Sequence, residues 1–486
     1  MAGWYQPVQD LRRRLRATEM RPMAEQPKAD ESEFPEEIAS NLKELPIAEM
    51  ERQIRLHERF AKGQTGGARA NFSFRDLSRR DLSKRTLDGA DFTGARLQGA
   101  RLSATKLKGA IFFATDLRDC NLTGADMNQC DLRGACIRGA DLTGAALNEC
   151  DLRAGVLLRS DGRGNLVKTV FDKEETDMSG AIVKKADFSR ARMSNSFIMQ
   201  TDFTDAILRD VKLIKADLSG CNMTGSILEG TDLSEANLSG AIFHGAILKR
   251  VILAGANLDG ADLVGAVFDS VDTSKTDMTK AQLPRSLDSL GAPLRKIIQD
   301  HAAWINTSGQ AGARADFSRV DMAKQNLSNV NLSAANMQYV VLREADLNQA
   351  NFVMAELAFA DLNAADLRHA DLRGARLQRA NLSHANLTGV RAGPVDIAFV
   401  GTQSWPSNFE HAKLFEANLA GADLRRAKCS GANFTKANLQ DIDLRHADLR
   451  DCIFNHADLR GAQLDHADLR GTKGLPEKFF EDKTEI

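Results

Sequence analysis

The sequence predicts an all-β solenoid: a quadrilateral parallel β-helix in two tandem lobes, with a short α-helical cap on each. Three observations predict it. A leucine, phenylalanine or methionine returns at every fifth residue over most of the chain, as in LQDIDLRHADLRDCIFNHADLRGAQLDHADLR from Leu439 to Arg470. Proline avoids these runs: Pro284, Pro293, Pro394, Pro406 and Pro476 fall outside them, and the others lie before Ile47. The segment leading into the repeats occurs twice, as IRLHERFAKGQTGGARANF at 54–72 and IQDHAAWINTSGQAGARADF at 298–317.

A period of five fits neither regular element. On an α-helix it advances about 500° and smears the leucines around every face. On a flat strand it sends alternate leucines to opposite faces. It makes sense only if the chain turns a corner each time. With the leucine at position i, the alanine at i−2 shares its side and the Asp or Asn at i−1 faces out. Positions i+1 and i+2 make the turn, and i+2 is often Gly, which tolerates unusual dihedrals. Four corners close a coil of about 20 residues, and coils stack through parallel hydrogen bonds about 4.8 Å apart.

The pentad A(D/N)LXX, written here as ADLRG, ADLTG and ANLSG, resembles that of the pentapeptide-repeat proteins, and the resemblance covers most of the chain. It implies a right-handed quadrilateral β-helix. It leaves function open, because one fold hosts many. Some members of the family mimic DNA and bind DNA gyrase, so the resemblance brings in a DNA-mimicking modulator of gyrase, or of another nucleic-acid-binding protein, as the alternative function.

Taken in order, residues 1–44 read as a flexible tail. Its first part is basic, with Arg12, Arg13, Arg14 and Arg16 among Val8, Leu11 and Leu15 at helical spacing, and Glu31, Glu33, Glu36 and Glu37 follow. The basic part is the one suited to peripheral contact with an acidic protein or membrane surface. Residues 45–283 form the first lobe: a capping helix through Ile47, Met50, Ile54 and Leu56, then repeats from Phe72 to Leu157 and from Met178 to Leu283, broken at 158–177 and slipping at Thr273. Residues 284–475 form the second lobe: a helix through Leu290, Leu294, Ile297 and Ile298, then repeats from Phe317 to Leu387 and from Phe409 to Leu469, broken at 388–408. Residues 476–486 are a C-terminal tail. Solenoid ends expose apolar surface and unpaired backbone, so a cap has a physical purpose at each.

Composition sets the bounds. The formal charge of −2 over 486 residues argues against nucleic acid as a partner. No apolar run reaches the ~18 residues of a membrane span, and the first 20 residues lack the apolar stretch of a secretory signal. Cys120, Cys130, Cys150, Cys221 and Cys452 occupy alanine slots, Cys429 a leucine slot, and Cys136 an outward one. They read as small reduced hydrophobes of a cytoplasmic, bacterial protein.

No phosphate loop, nucleotide fingerprint, zinc-spaced cluster or nucleophile motif is present, so the reading is non-catalytic with no cofactor. Inward positions are filled, with Phe72, Phe92 and Phe112 stacking at coil spacing and Phe434 above Phe454. Outward Asp and Arg form facing ladders, as at Asp448, Asp468, Arg450 and Arg470. The residues that stand out are Phe171, Phe399 and Trp405 in the two breaks, as partner anchors, and His446 and His466, one coil apart at outward i+2 positions. The duplicated cap motif sets His57, Phe60 and Arg69 against His301, Trp304 and Arg314, a pattern suited to seating a helix on a coil. The expected function is a scaffold for unidentified protein partners; the sequence leaves the oligomeric state open.

Overall fold

The computed structural model describes residues 42–160, 166–169, 174–397 and 403–479. They fall into two compact units that part between Gln282 and Leu283.

The coil is built as the pentad demands. In an unbroken run, residue i−1 bridges in parallel to the residue 20 further on, as Asn71 does to Asp91 and Asp91 to Ile111. Residues i and i+2 donate to the next coil (Phe72 N to Asp91 O 2.7 Å; Phe74 N to Thr93 O 2.9 Å), and i−1 donates back to the previous one (Asp91 N to Ala70 O 3.1 Å). The amide after the corner closes a β-turn, as Ala95 N does on Phe92 O at 2.9 Å. The third turn residue has a positive φ, +61° at both Gly94 and Arg190, the arrangement of a type II turn. That leaves the amide of i+1. An Asp or Asn at i−1 accepts it through Oδ1, as Asp91 does from Thr93 N at 2.9 Å. The second letter of the pentad is therefore set by backbone accounting as well as by exposure.

Inside, the leucine positions from Phe72 to Leu152 are completely buried, and Phe92 stacks on Phe112 at 4.8 Å. Each such side chain contributes roughly 1.5–3 kcal/mol by leaving water. The alanine slot has a second use. Thr105, Thr115 and Thr201 donate from it to the carbonyls of Leu82, Phe92 and Met178 at 2.7–2.8 Å. Cys120, Cys221 and Cys452 make the same bond through Sγ at 2.9 Å. Burial pushes the thiols of Cys221 and Cys452 up to about 12. Cys136, expected to face outward, is buried: its bridge partners Asp116 and Asp177 flank it, each in an ion pair with an arginine, Arg118 and Arg138.

In the first unit, β1 (Lys43–Glu44) pairs in parallel with β2 (Arg75–Asp76). Residues 43–44, assigned to the tail by sequence, thus belong to the coil stack, and Leu45 behind them is buried. Helix α1 (Ile47–Ala61) starts at Pro46 and buries Met50, Ile54 and His57, leaving Ile47 and Phe60 exposed. The chain leaves the coil at Gly155 and forms an antiparallel hairpin, β3 (Leu157–Ser160) with β4 (Leu166–Thr169). It re-enters at Thr176, so Cys136 bridges Asp177 where an unbroken step would give 156. Leu157, the last leucine of the sequence-predicted frame, is therefore a hairpin residue. Strands β5 (Ile247–Lys249) and β6 (Val267–Asp269) are a further stretch of this stack where bridges merge into a ladder. Beyond them the inside fades: Phe268, Val271 and Met278 are partly buried and Thr273 is exposed.

In the second unit, a 3-10 turn (Leu287–Leu290) precedes helix α2 (Leu294–Asn306), which begins after Pro293 and buries His301 and Ile305. Leu287, Leu290, Leu294, Ile297 and Ile298 pack on the coil core, and Leu475 and Phe479 do so too. The coil runs one pentad past Leu387, because Ala392 fills a leucine slot with no exposure. An alanine there carries no periodic signal, so the break is shorter than the sequence indicates. Strands β7 (Val395–Ile397) and β8 (Gln403–Trp405) form an antiparallel hairpin, and Arg376 bridges Asn408 instead of 396.

Candidate functional site

The duplicated motif makes the same bonds twice. His57 Nδ1 accepts Ala70 N at 3.0 Å, and His301 Nδ1 accepts Ala315 N at 3.0 Å. Elsewhere that amide closes a turn on a leucine carbonyl; at the first corner no leucine precedes it, and the imidazole stands in. Arg69 donates to Gly89 O and Arg314 Nε to Ala334 O at 2.6 Å, the matching i+2 carbonyls of the two first coils. Trp304 stacks on His301 with centroids 5.7 Å apart, whereas the Phe60 ring lies tilted 6.0 Å from His57. Burial lowers both histidines, His301 to about 4. These are neutral rings that hold a helix to a coil.

Where the pentad carries an aspartate at i−1 and an arginine at i+1, the arginine forks onto that aspartate. Arg118 holds Asp116 at 2.9 and 3.0 Å, and Arg470 holds Asp468 at 2.9 and 2.6 Å. The forked Arg470 holds the Asp468 carboxyl at about 2, below the ordinary range. Among the described residues no group of His, Cys, Asp and Glu is placed to hold a metal ion, and no helix is long and apolar enough to cross a membrane.

The two hairpins interrupt this regular surface, and each exit is patched by a hydroxyl in an alanine slot. Thr176 Oγ1 lies 3.1 Å from the carbonyls of both Leu132 and Arg153, and Ser407 Oγ donates to Ala392 O. The coils on either side thus keep their register. Trp405 of β8 is half-buried: it pairs with Val395, and both approach the corner glycine Gly374, where a Cβ would sit 3.2 Å from Val395 and 3.4 Å from Trp405. Phe171 and Phe399 lie outside the described residues.

Where the second hairpin leaves, the surface opens into a groove of about 540 Å³ lined by Arg373, Arg391, Arg425, Arg426, Arg445 and His446. Its origin is one missing side chain. On this face Asp371, Arg391, Asp423 and Asp443 bridge in sequence, and i+1 carries Arg373, then Gly393, then Arg425 and Arg445. Gly393 leaves a rung empty, and a Cβ there would come 3.2 Å from the Asp423 carboxylate. Arg373 and Arg391 share Asp371, each at 2.8 Å. Arg425 and Arg445 fork onto Asp423 and Asp443 at 2.8 and 2.7 Å. Arg426 is exposed and has no ion pair among the described residues.

His446 lines this groove and stacks on His466 with centroids 4.9 Å apart and planes at 12°. The structure thus brings His446 and His466 together and sets them beside the second break. Sequence reasoning missed the arginines. Arg425 and Arg445 are visibly one coil apart, but Arg373 and Arg391 join them only once the hairpin is excised from the count.

The family model described as pentapeptide repeats (8 copies) matches residues 68–103, 76–113, 115–153, 174–210, 186–225, 216–255, 246–283, 315–352, 355–391, 407–441 and 437–473, more than half of the chain. No curated protein matches it. Similar solved structures include a pentapeptide repeat protein from the thylakoid lumen of Arabidopsis thaliana, 28% identical over 24% of this chain and 66% of that one, TM-score 0.19. They include QnrB1, a plasmid-mediated fluoroquinolone resistance protein, 17% identical over 44% and 92%, TM-score 0.28. They also include HetL, a pentapeptide repeat protein involved in heterocyst differentiation regulation in the cyanobacterium Nostoc, 20% identical over 88% and 96%, TM-score 0.13. With TM-scores this low, the likeness stays at the level of the repeat.

Proposed function

The chain belongs to the pentapeptide repeat family, with its right-handed β-helix, and we propose that it is a non-catalytic scaffold that binds protein partners. In this reading the coils are a rigid mount, α1 and α2 cap two lobes, and the protein works in the bacterial cytoplasm, where its seven buried thiols stay reduced. The observation that carries the reading is the pair of hairpins, one set into the bridge ladder of each unit. Each leaves and re-enters the stack without disturbing the coils around it, which is how a rigid support displays a variable contact. The contact surface on the second unit is hairpin β7–β8 with Trp405, next to the corner bearing His446 and His466.

The test is photo-crosslinking in the native host from a probe residue placed at Gln403, with and without Trp405→Ala. A discrete crosslinked protein, lost on the Trp405 change while the melting temperature is kept, supports the scaffold. An unchanged crosslinking pattern in the two proteins rejects Trp405 as an anchor.

A further inference from the structure

We propose that the groove below hairpin β7–β8 is a binding site for a small oligophosphate, a feature separate from the scaffold reading. Five guanidinium groups surround it: Arg373, Arg391, Arg425, Arg426 and Arg445. Three carboxylates pair with them, Asp371, Asp423 and Asp443, and Asp465 on the next coil acts on Arg445, which leaves an excess of one positive charge with Arg426 unpaired among the described residues. Many outward arginines at i+1 fork onto the aspartate of their own pentad, as Arg118, Arg153 and Arg450 do; here Arg391 and Arg426 add two guanidinium groups from other rows.

The geometry favours phosphate over other anions. Arg373, Arg425 and Arg445 line the groove and hold their aspartates side-on through Nε and Nη2, at 2.7–2.9 Å, so the Nη1 of each lies outside the fork. These three come from the i+1 row, Arg391 from the i−1 row, and Arg426 and His446 from the corner. Donors therefore converge from three directions on the notch over buried Gly393. A planar carboxylate is satisfied by one fork, whereas tetrahedral phosphoryl groups present oxygens to several. Arg425 and Arg445 sit on consecutive coils, about 4.8 Å apart, so neighbouring phosphoryl groups of one chain would each meet a guanidinium. The volume admits a compact ligand of two or three such groups.

The probes are sodium tripolyphosphate and adenosine triphosphate, titrated calorimetrically into the full chain at about 50 mM salt, where screening is modest. One site per chain is expected. Arg391→Gln and Arg426→Gln should each weaken binding at least about tenfold, which is roughly 1.4 kcal/mol. Arg133→Gln, on the Asp–Arg ladder of the first unit, should change nothing. Circular dichroism of each variant checks that the coil persists; Arg426 is exposed, so its loss should leave folding intact. Equal affinities assign the site to a free phosphate chain and tighter binding of the nucleotide to a phosphorylated metabolite; either supports the proposal. Absence of heat with both probes at about 1 mM overturns it, as does affinity unchanged in both groove variants, or binding of a single-stranded oligonucleotide without binding of tripolyphosphate.

Discussion

An aspartate at i−1 does two jobs in this chain: Oδ1 takes the turn amide of i+1, and both oxygens take the arginine fork. Asp448 accepts Arg450 N at 3.3 Å and the guanidinium at 2.8 and 2.7 Å. Inside and outside were legible because the pentad separates them by one residue; the hydroxyl and thiol bonds of the alanine slot were not, since Thr and Cys there look like mere substitutes for a small side chain. Leu132→Asp would bury a carboxylate with no partner and cost several kcal/mol. Thr143→Asp, at a turn position whose amide already rests on Asp141, should cost under about 1 kcal/mol. Equal melting temperatures would refute the assignment of faces. His301 provides a second test. Its folded pKa of about 4 lies below the ordinary 6.5, so between these values the unfolded chain binds a proton that the folded one refuses. Stability must therefore fall as the pH drops through that window, by on the order of 3 kcal/mol. Urea unfolding at several pH values checks this. His301→Asn, whose amide oxygen still accepts from Ala315, should flatten that part of the slope; an unaltered slope would remove His301 as its source.

The helices were legible as elements because their apolar residues recur at three and four and a proline precedes each. What they touch was only half visible: α1 turns Met50, Ile54 and His57 inward and leaves Phe60 51% exposed, although the sequence motif places Phe60 beside His57. The hairpins were harder to bound. Leu157 continues the period of five but belongs to β3, and Ala392 breaks the period but belongs to the coil. Helix α2 should matter most for the second unit, against whose core Leu294, Ile297 and Ile298 pack. A fragment of residues 285–486 should be soluble and unfold cooperatively. One beginning at residue 312 lacks the helix, exposes the coil end and an unpaired edge, and should aggregate or melt much lower. Sedimentation and circular dichroism of the two fragments make the comparison; equal behaviour would mean that α2 covers nothing of consequence.

At the scale of the whole molecule the formal charge is −2, and outside the arginine groove many arginines of the described coils sit on the aspartate of their own pentad. A duplex mimic needs one sign of charge sustained along a face. Supercoiling by DNA gyrase should accordingly be unaffected at micromolar protein, and potent inhibition would favour mimicry over the scaffold. The register has a consequence of another kind. Because each row of bridges advances by 20 residues in the unbroken runs, the chain has a unit of length in which it can be edited. Deleting residues 200–219 joins Met199 to Gly220 and preserves every later side chain's facing; deleting one residue fewer turns all of them by a position. The first protein should keep its circular dichroism and a cooperative melt, the second should lose both, and a cooperative melt in both would mean that slips are absorbed locally. Copying errors spanning one turn of the coil would then pass unnoticed by the fold, while a single lost codon would not, so lineages of such a molecule should differ by whole turns, like a ruler cut only at its marks.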